Sequence, residues 1–123
     1  MYPAAGVLAR AEWVTSHKAI AQKVVDAMVA TMHWIATHSA TDIANNLPPA
    51  FVSNGLITKS AYISALAKDK AQFLPDGIMP ASRPATALAI DKLAGNVSKP
   101  VDLAPTWINS YALAANKLEG FMK

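Results

Sequence analysis

The sequence predicts a mainly α-helical chain, and three observations lead there. Of its 123 residues 53% are apolar while only 7% are aromatic, a balance that favours helices over sheets. Alanine, the strongest helix former, supplies 25 positions. Apolar residues recur at helical spacing in four or five segments, whereas no alternating run extends beyond a few residues. At most one short strand is expected, in residues 4–11.

That stretch, AAGVLARA, comes after Tyr2-Pro3, a pair that favours extended backbone. A long helix is expected over about 16–38, capped by Ser16. At 100° per residue Ile20, Val24, Ala27, Met28, Thr31 and Ile35 share one arc, expected to face the core. Lys18, Gln22, Asp26, His33 and Thr37 fall opposite. Ser39 restarts a short helix through ATDIANN, which Leu47-Pro48-Pro49 ends because a proline disfavours helical backbone in the residue before it. Asn54-Gly55 marks a turn. Thr58 caps a helix over 58–72 in which Tyr62, Ile63, Leu66 and Phe73 recur at helical spacing. A loop, LPDGIMPAS, leads to a helix opened by Ser82 and Pro84 and closed by Gly95-Asn96. After the extended VSKPVDL, Pro105 is expected to open a last helix that buries Ile108, Tyr111, Ala112 and Ala115 before Gly120 stops it. No internal repeat and no low-complexity linker is evident.

At 13.0 kDa the chain is one domain or part of one, 1–123. Its 15% of charged residues lies well below the usual share of about 25%. That excludes a disordered tail and argues for much buried surface, partly against something else. The net charge of +3 comes from lysines spread between Lys18 and Lys123 without a block, so no nucleic-acid partner is expected. Cysteine is absent, which excludes disulfides and thiol chemistry. The longest nearly uncharged apolar run, near 27–36, is about half a membrane span. The first residues lack the basic start and long apolar stretch of a signal peptide.

Zinc sites on helices need histidines at i and i+4. His33 and His38 are five apart and His17 lies nearly opposite His33, so no metal site is expected. No Gly-x-Ser-x-Gly elbow, Gly-x-Gly-x-x-Gly loop or Walker pattern occurs. Asp69 sits beside lysine and Asp76 in a turn, where helix-end and turn roles account for them. Trp34, Met28 and Met32 read as packing residues. Neither catalysis nor a cofactor is expected.

Four phrases in order carry a family resemblance: the opening YPAAGVLAR; the helix HKAIAQKVVDAMVATMHWIATHSATDIANNLP, with its His38-Ser39-Ala40 to Ile43-Ala44 continuation; the loop FLPDGIMP (73–80); and VDLAPTWINSY (101–111). Together they resemble the C-terminal segment of solute-binding proteins of ABC importers in the nitrate, sulfonate and taurine class, related to thiamine-precursor-binding proteins. The resemblance implies a periplasmic protein of type II-like lobes, of which this chain is the helical C-terminal part. It implies a parent that hands a small solute to an ABC permease, and a chain that lacks the residues selecting that solute. Only Tyr2 and Pro3, near the return from the second lobe, are candidate ligand-binding positions at the cleft edge or hinge. The alternative is a stand-alone helical module that survives by self-association. On the family reading truncation uncovers apolar surface that the missing part would cover, so a symmetric homodimer is expected, with Ile20, Val24, Met28 and Ile35 as its surface or with exchange of the 4–11 strand.

Overall fold

A computed structural model describes residues 6–121. Seven α-helices account for most of it: α1 (Ala11–Ser16), α2 (Lys18–Thr37), α3 (Ala40–Asn45), α4 (Pro49–Val52), α5 (Lys59–Asp69), α6 (Ser82–Leu93) and α7 (Ser110–Leu118). Short 3₁₀ turns follow α5 at Lys70–Gln72 and precede α7 at Ala104–Thr106. Among the described residues there is no β-strand, and the one isolated bridge joins Asn54 to Ile57. The chain is therefore mainly α. Residues 4 and 5 of the expected strand lie outside the described residues; 6–10 have no regular structure and Ala11 already opens a helix.

The long helix is where expectation and structure part. Ser16 does not cap α2. Its hydroxyl turns back and donates to the Glu12 and Trp13 carbonyls of α1, at 2.8 and 3.2 Å. A single residue, His17, leaves helical geometry (φ −125°, ψ 40°) and α2 begins at Lys18. The buried face is also rotated. Ala21 and Val29 are buried with Val25 packed beside them, whereas Ile20, Val24 and Met28 are 52, 42 and 40% exposed. Ala27 and Thr31 are exposed as well. The face that packs is displaced by one residue, or about 100°, from the expected one.

The reason lies in α7, the main packing partner of α2. Its inner side is Ala112, Ala115 and Asn116, all buried, and small residues let the two helices approach closely. Polar groups on α2 then find partners across the contact. Gln22 Nε2 donates to the Tyr111 carbonyl at 2.9 Å and to Asp26 Oδ1 at 2.7 Å. A polar side chain that is hydrogen-bonded loses little by facing inward, so polarity on one side of a helix did not mark its wet side.

Ala40, Ile43 and Ala44 of α3 and Val52 of α4 are also buried, and α5 lies against both helices. Ser39 caps α3, and with Asp42 it forms a reciprocal capping box: Ser39 Oγ accepts from the Asp42 amide at 3.1 Å, and Asp42 Oδ2 accepts from the Ser39 amide at 3.2 Å. Helix α4 was not anticipated; its signal is Pro49 at the first helical position. Pro105 sits in the 3₁₀ turn instead of opening α7, which starts at Ser110. Ile108 is consequently outside the helix and 59% exposed, against the expectation that it is buried. Gly95 and Gly120 end α6 and α7 with φ of +76° and +72°. In each case the next amide bonds back to the helix: Asn96 to the Asp91 carbonyl and Phe121 to the Asn116 carbonyl, at 2.9 and 2.8 Å.

Candidate functional site

Long-range side-chain contacts converge where the 73–80 loop meets α2 and α7. Leu74-Pro75-Asp76-Gly77 is a β-turn closed by the Gly77 amide donating to the Leu74 carbonyl at 3.1 Å. Asp76 Oδ1 accepts from the Ile78 amide at 2.9 Å and fixes the next residue. Gly77 has φ +64° and lies over the helix pair; a Cβ there would meet Val29 Cγ2 at 3.3 Å and Ala112 Cβ at 3.9 Å. Ile78 packs on Val29, Ala112 and Ala115. Position 77 thus needs glycine both for its backbone and for the close approach.

Two asparagines lock the loop down. Asn109 grips Met79 from both sides: its Oδ1 accepts from the Met79 amide and its Nδ2 donates to the Met79 carbonyl, each at 3.0 Å. Asn116 is wholly buried. Its Nδ2 donates to the Asp76 carbonyl at 2.8 Å and to the Ala112 carbonyl at 2.7 Å. With both amide hydrogens so engaged, Asn116 Oδ1 is an acceptor, and His33 Nε2 donates to it at 3.2 Å. Phe121 stacks on the His33 ring at 3.5 Å between centroids, placed there by the Gly120 turn. Among the described residues no buried side-chain polar atom lacks a partner. This matched set holds a loop and two helices in register.

His17 and His38 share a different role. Each is the C-cap of its helix, donates its backbone amide to the tryptophan carbonyl four residues earlier, and bonds that carbonyl again through Nδ1. The Nδ1 distances are 3.1 Å to Trp13 and 2.7 Å to Trp34. A carbonyl only accepts, so the ring hydrogen is on Nδ1 in both, and on Nε2 in His33. The rings stack on the same tryptophans, at 5.1 Å for Trp13–His17 and 4.4 Å for Trp34–His38. A preceding hydroxyl, Ser16 or Thr37, contacts each Nδ1 at 2.9 and 3.1 Å. Trp13-Val14-Thr15-Ser16-His17 and Trp34-Ile35-Ala36-Thr37-His38 are therefore one capping unit used twice. Two copies on different helices leave no periodic trace in the sequence.

The second cap is reinforced from outside the helix. Lys70 Nζ donates to the carbonyls of Ile35, Ala36 and His38, the first two at 3.3 and 3.4 Å. This places a cation where the last carbonyls of α2 concentrate negative charge. The Ser39 hydroxyl and amide, with His38 nearby, hold the Asp42 carboxyl below its ordinary pKa.

The candidate ligand positions Tyr2 and Pro3 lie outside the described residues. Of the packing assignments, Trp34 and Met32 are half-buried, but Met28 faces solvent. The histidines are engaged as above, and among the described residues no group of three His, Asp or Glu side chains is placed to hold a metal ion. An open recess of about 370 Å³ is lined by Leu8, Ala9, Arg10 and Trp13. Among the described residues no helix is long and apolar enough to cross a membrane. Asn109 is the asparagine of the VDLAPTWINSY phrase, but its grip on Met79 was not legible there, and Asn116 was not singled out from the sequence. The usable signal for Asn116 was an asparagine sharing a helix face with Ala112, next to Ala115, which points to a bond inside the core. No family model, no curated protein and no solved structure matches the chain.

Proposed function

We propose that this chain is the helical C-terminal part of a solute-binding protein of an ABC importer for a small oxoanion or related organic solute. On this reading it works in the periplasm without covalent chemistry, and the solute and the permease are engaged through the full-length parent. The observation that carries the proposal is spatial. Three of the phrases on which the resemblance rests, the long helix, FLPDGIMP and VDLAPTWINSY, are the segments that Asn109, Asn116 and the Gly77 approach tie together. The complete reading frame containing this chain is the test. Two in-frame α/β lobes upstream, in a product that binds nitrate, taurine or an alkanesulfonate by calorimetry, are expected. A frame with no such lobes overturns the reading.

One observation favours a second reading, self-association of the chain as it stands. Ile20, Val24 and Met28 share one face of α2 and are 52, 42 and 40% exposed, leaving a partly open apolar stripe. Exposed apolar area is penalised by roughly 25 cal/mol per Å², and identical patches are most often covered by two-fold pairing. Sedimentation equilibrium distinguishes this: a mass of 13.0 kDa that does not depend on concentration excludes it.

A further inference from the structure

We infer that Asn54-Gly55 is a site of spontaneous covalent modification, at which the folded chain converts asparagine to aspartate and isoaspartate. The reaction needs a main-chain nitrogen free to attack the preceding side-chain amide. The Gly55 amide donates no hydrogen bond among the described residues, and open space surrounds its α-carbon, with no atom within 4 Å of where a Cβ would stand. The electrophile is prepared as well. Asn54 Oδ1 accepts from the Leu56 amide at 3.0 Å, which draws electron density from Cγ. The departing Nδ2 is retained only by a 3.3 Å contact to the Ala50 carbonyl. Around this opening the turn is anchored, since Asn54 and Ile57 exchange both backbone hydrogen bonds at 3.1 and 3.2 Å.

The chemistry balances with water as its only co-reactant. The Gly55 nitrogen, losing its hydrogen to solvent base, bonds to Asn54 Cγ while Nδ2 takes up a proton and leaves as ammonia, closing a five-membered succinimide. Water then adds to one of the two ring carbonyls and breaks its bond to nitrogen. One product is aspartate; the other carries the main chain through the side-chain carbonyl. The net change is one water consumed and one ammonia released.

The other asparagines lack this combination. Asn116 is buried with both amide hydrogens bonded, Asn109 is clamped to Met79, Asn45 precedes Asn46, whose amide is bonded to the Asp42 and Ile43 carbonyls, and Asn46 and Asn96 precede Leu47 and Val97, whose side chains crowd the attacking nitrogen. Asp76-Gly77 is an internal comparison. It has the same succeeding glycine and is capable of the same ring closure with loss of water, and its Oδ1 accepts from the i+2 amide in the same way, but its Gly77 amide is committed to the Leu74 carbonyl. The products at position 54 differ from asparagine in ways that reach α4 and α5. Aspartate replaces a donor to the Ala50 carbonyl with a negative charge beside the last carbonyls of α4, where negative charge is unfavourable. Isoaspartate lengthens the main chain by one carbon inside the Asn54–Ile57 exchange.

The full chain, incubated at neutral to mildly alkaline pH and then digested, is read by peptide mass spectrometry and by methyl transfer from labelled S-adenosylmethionine with an isoaspartate methyltransferase. A gain of about one dalton is expected in the peptide spanning Asn54, with methyl acceptance in the same peptide and none at Asp76-Gly77 until the chain is denatured. Gly55→Ala places a methyl in open space, at a position whose φ is not positive, and is expected to slow the reaction at least about tenfold, an added barrier of about 1.4 kcal/mol. Circular dichroism of that variant establishes that the helices are retained. Conversion first at another asparagine, no conversion at Asn54 in the folded chain while the denatured chain reacts, or a Gly55→Ala rate equal to that of the parent overturns the proposal.

Discussion

Replacing Asn116 with leucine tests the junction of α2, α7 and the 73–80 loop most directly. The two side chains are close in volume, so the change adds no large cavity and isolates the hydrogen bonds. The Ala112 carbonyl retains its helical partner, but the Asp76 carbonyl loses the Nδ2 donor at 2.8 Å and His33 Nε2 loses its acceptor at 3.2 Å. A buried carbonyl left unsatisfied costs about 1–3 kcal/mol, and loss of a partly exposed bond about 0.5–1.5 kcal/mol. Better solvation of the leucine side chain by the core offsets part of this. The net destabilisation is about 1–3 kcal/mol, which for a chain of this length lowers the melting temperature by roughly 5–15 °C. Urea unfolding monitored by circular dichroism reads the free energy, and an unchanged slope shows that the loss is one of stability. Asn116→Asp is expected to do more harm near neutral pH, because a carboxylate donates to neither carbonyl. Burial raises its folded pKa above the unfolded value, so that penalty grows as pH rises through the unfolded value and shrinks in acid. If Asn116→Leu unfolds within about 0.5 kcal/mol of the parent, the network does not hold the loop and the account of the junction is wrong.

The rotated face of α2 predicts opposite outcomes for neighbouring residues: Val29→Asp destabilises by several kcal/mol, while Ala27→Asp leaves monomer unfolding within about 0.5 kcal/mol and weakens any self-association, as urea melts and sedimentation will read. Lys70→Met removes the donor to three carbonyls of α2 and is expected to cost about 1.5–3 kcal/mol, in thermal melts at low ionic strength. Gly77→Ala and Gly95→Ala share the strain of a positive φ, about 1–2 kcal/mol, but only the first pushes a methyl against Val29, so Gly77→Ala is expected to melt lower. Asp42 has a folded pKa below its ordinary value of 3.8, so its capping of α3 is fully present above that value and is lost as pH falls through the lower folded one. Acid titration of helicity in Ser39→Ala is expected to lack this component.

Element positions were legible in the sequence wherever a local signal decides them. Ser39 and Thr58 cap helices as their residue type dictates, and Gly95 and Gly120 end them because few other residues adopt a positive φ. The features that escaped were decided by distant partners. Gln22, Asp26 and His33 read as a wet face because the carbonyl of Tyr111 and the amide of Asn116 that satisfy the first and last lie over 80 residues away. Ser16 read as a cap for the long helix ahead of it, yet its hydroxyl prefers the carbonyls behind it. The loop FLPDGIMP was recognisable as a turn from Pro75, Asp76 and Gly77. Its fastening to Asn109 and Asn116 was not, since asparagine is equally at home in solvent.

The doubled Trp–His cap has a mechanical consequence. At His38 the backbone goes extended and the chain departs toward Ser39, whereas at His17 one residue leaves helical geometry and helix resumes immediately. The same unit therefore ends a helix's hydrogen bonding without dictating where the chain goes next. Between Ala11 and Thr37 the polypeptide behaves as two rods on a one-residue knuckle, and a load applied to the first rod is taken up by the His17 torsions before it strains α2. Stiffening that knuckle with a helix former such as alanine joins the rods into a single shaft about 40 Å long, and a distance measured between spin labels on Glu12 and Lys23 is the gauge of how far the first rod has swung.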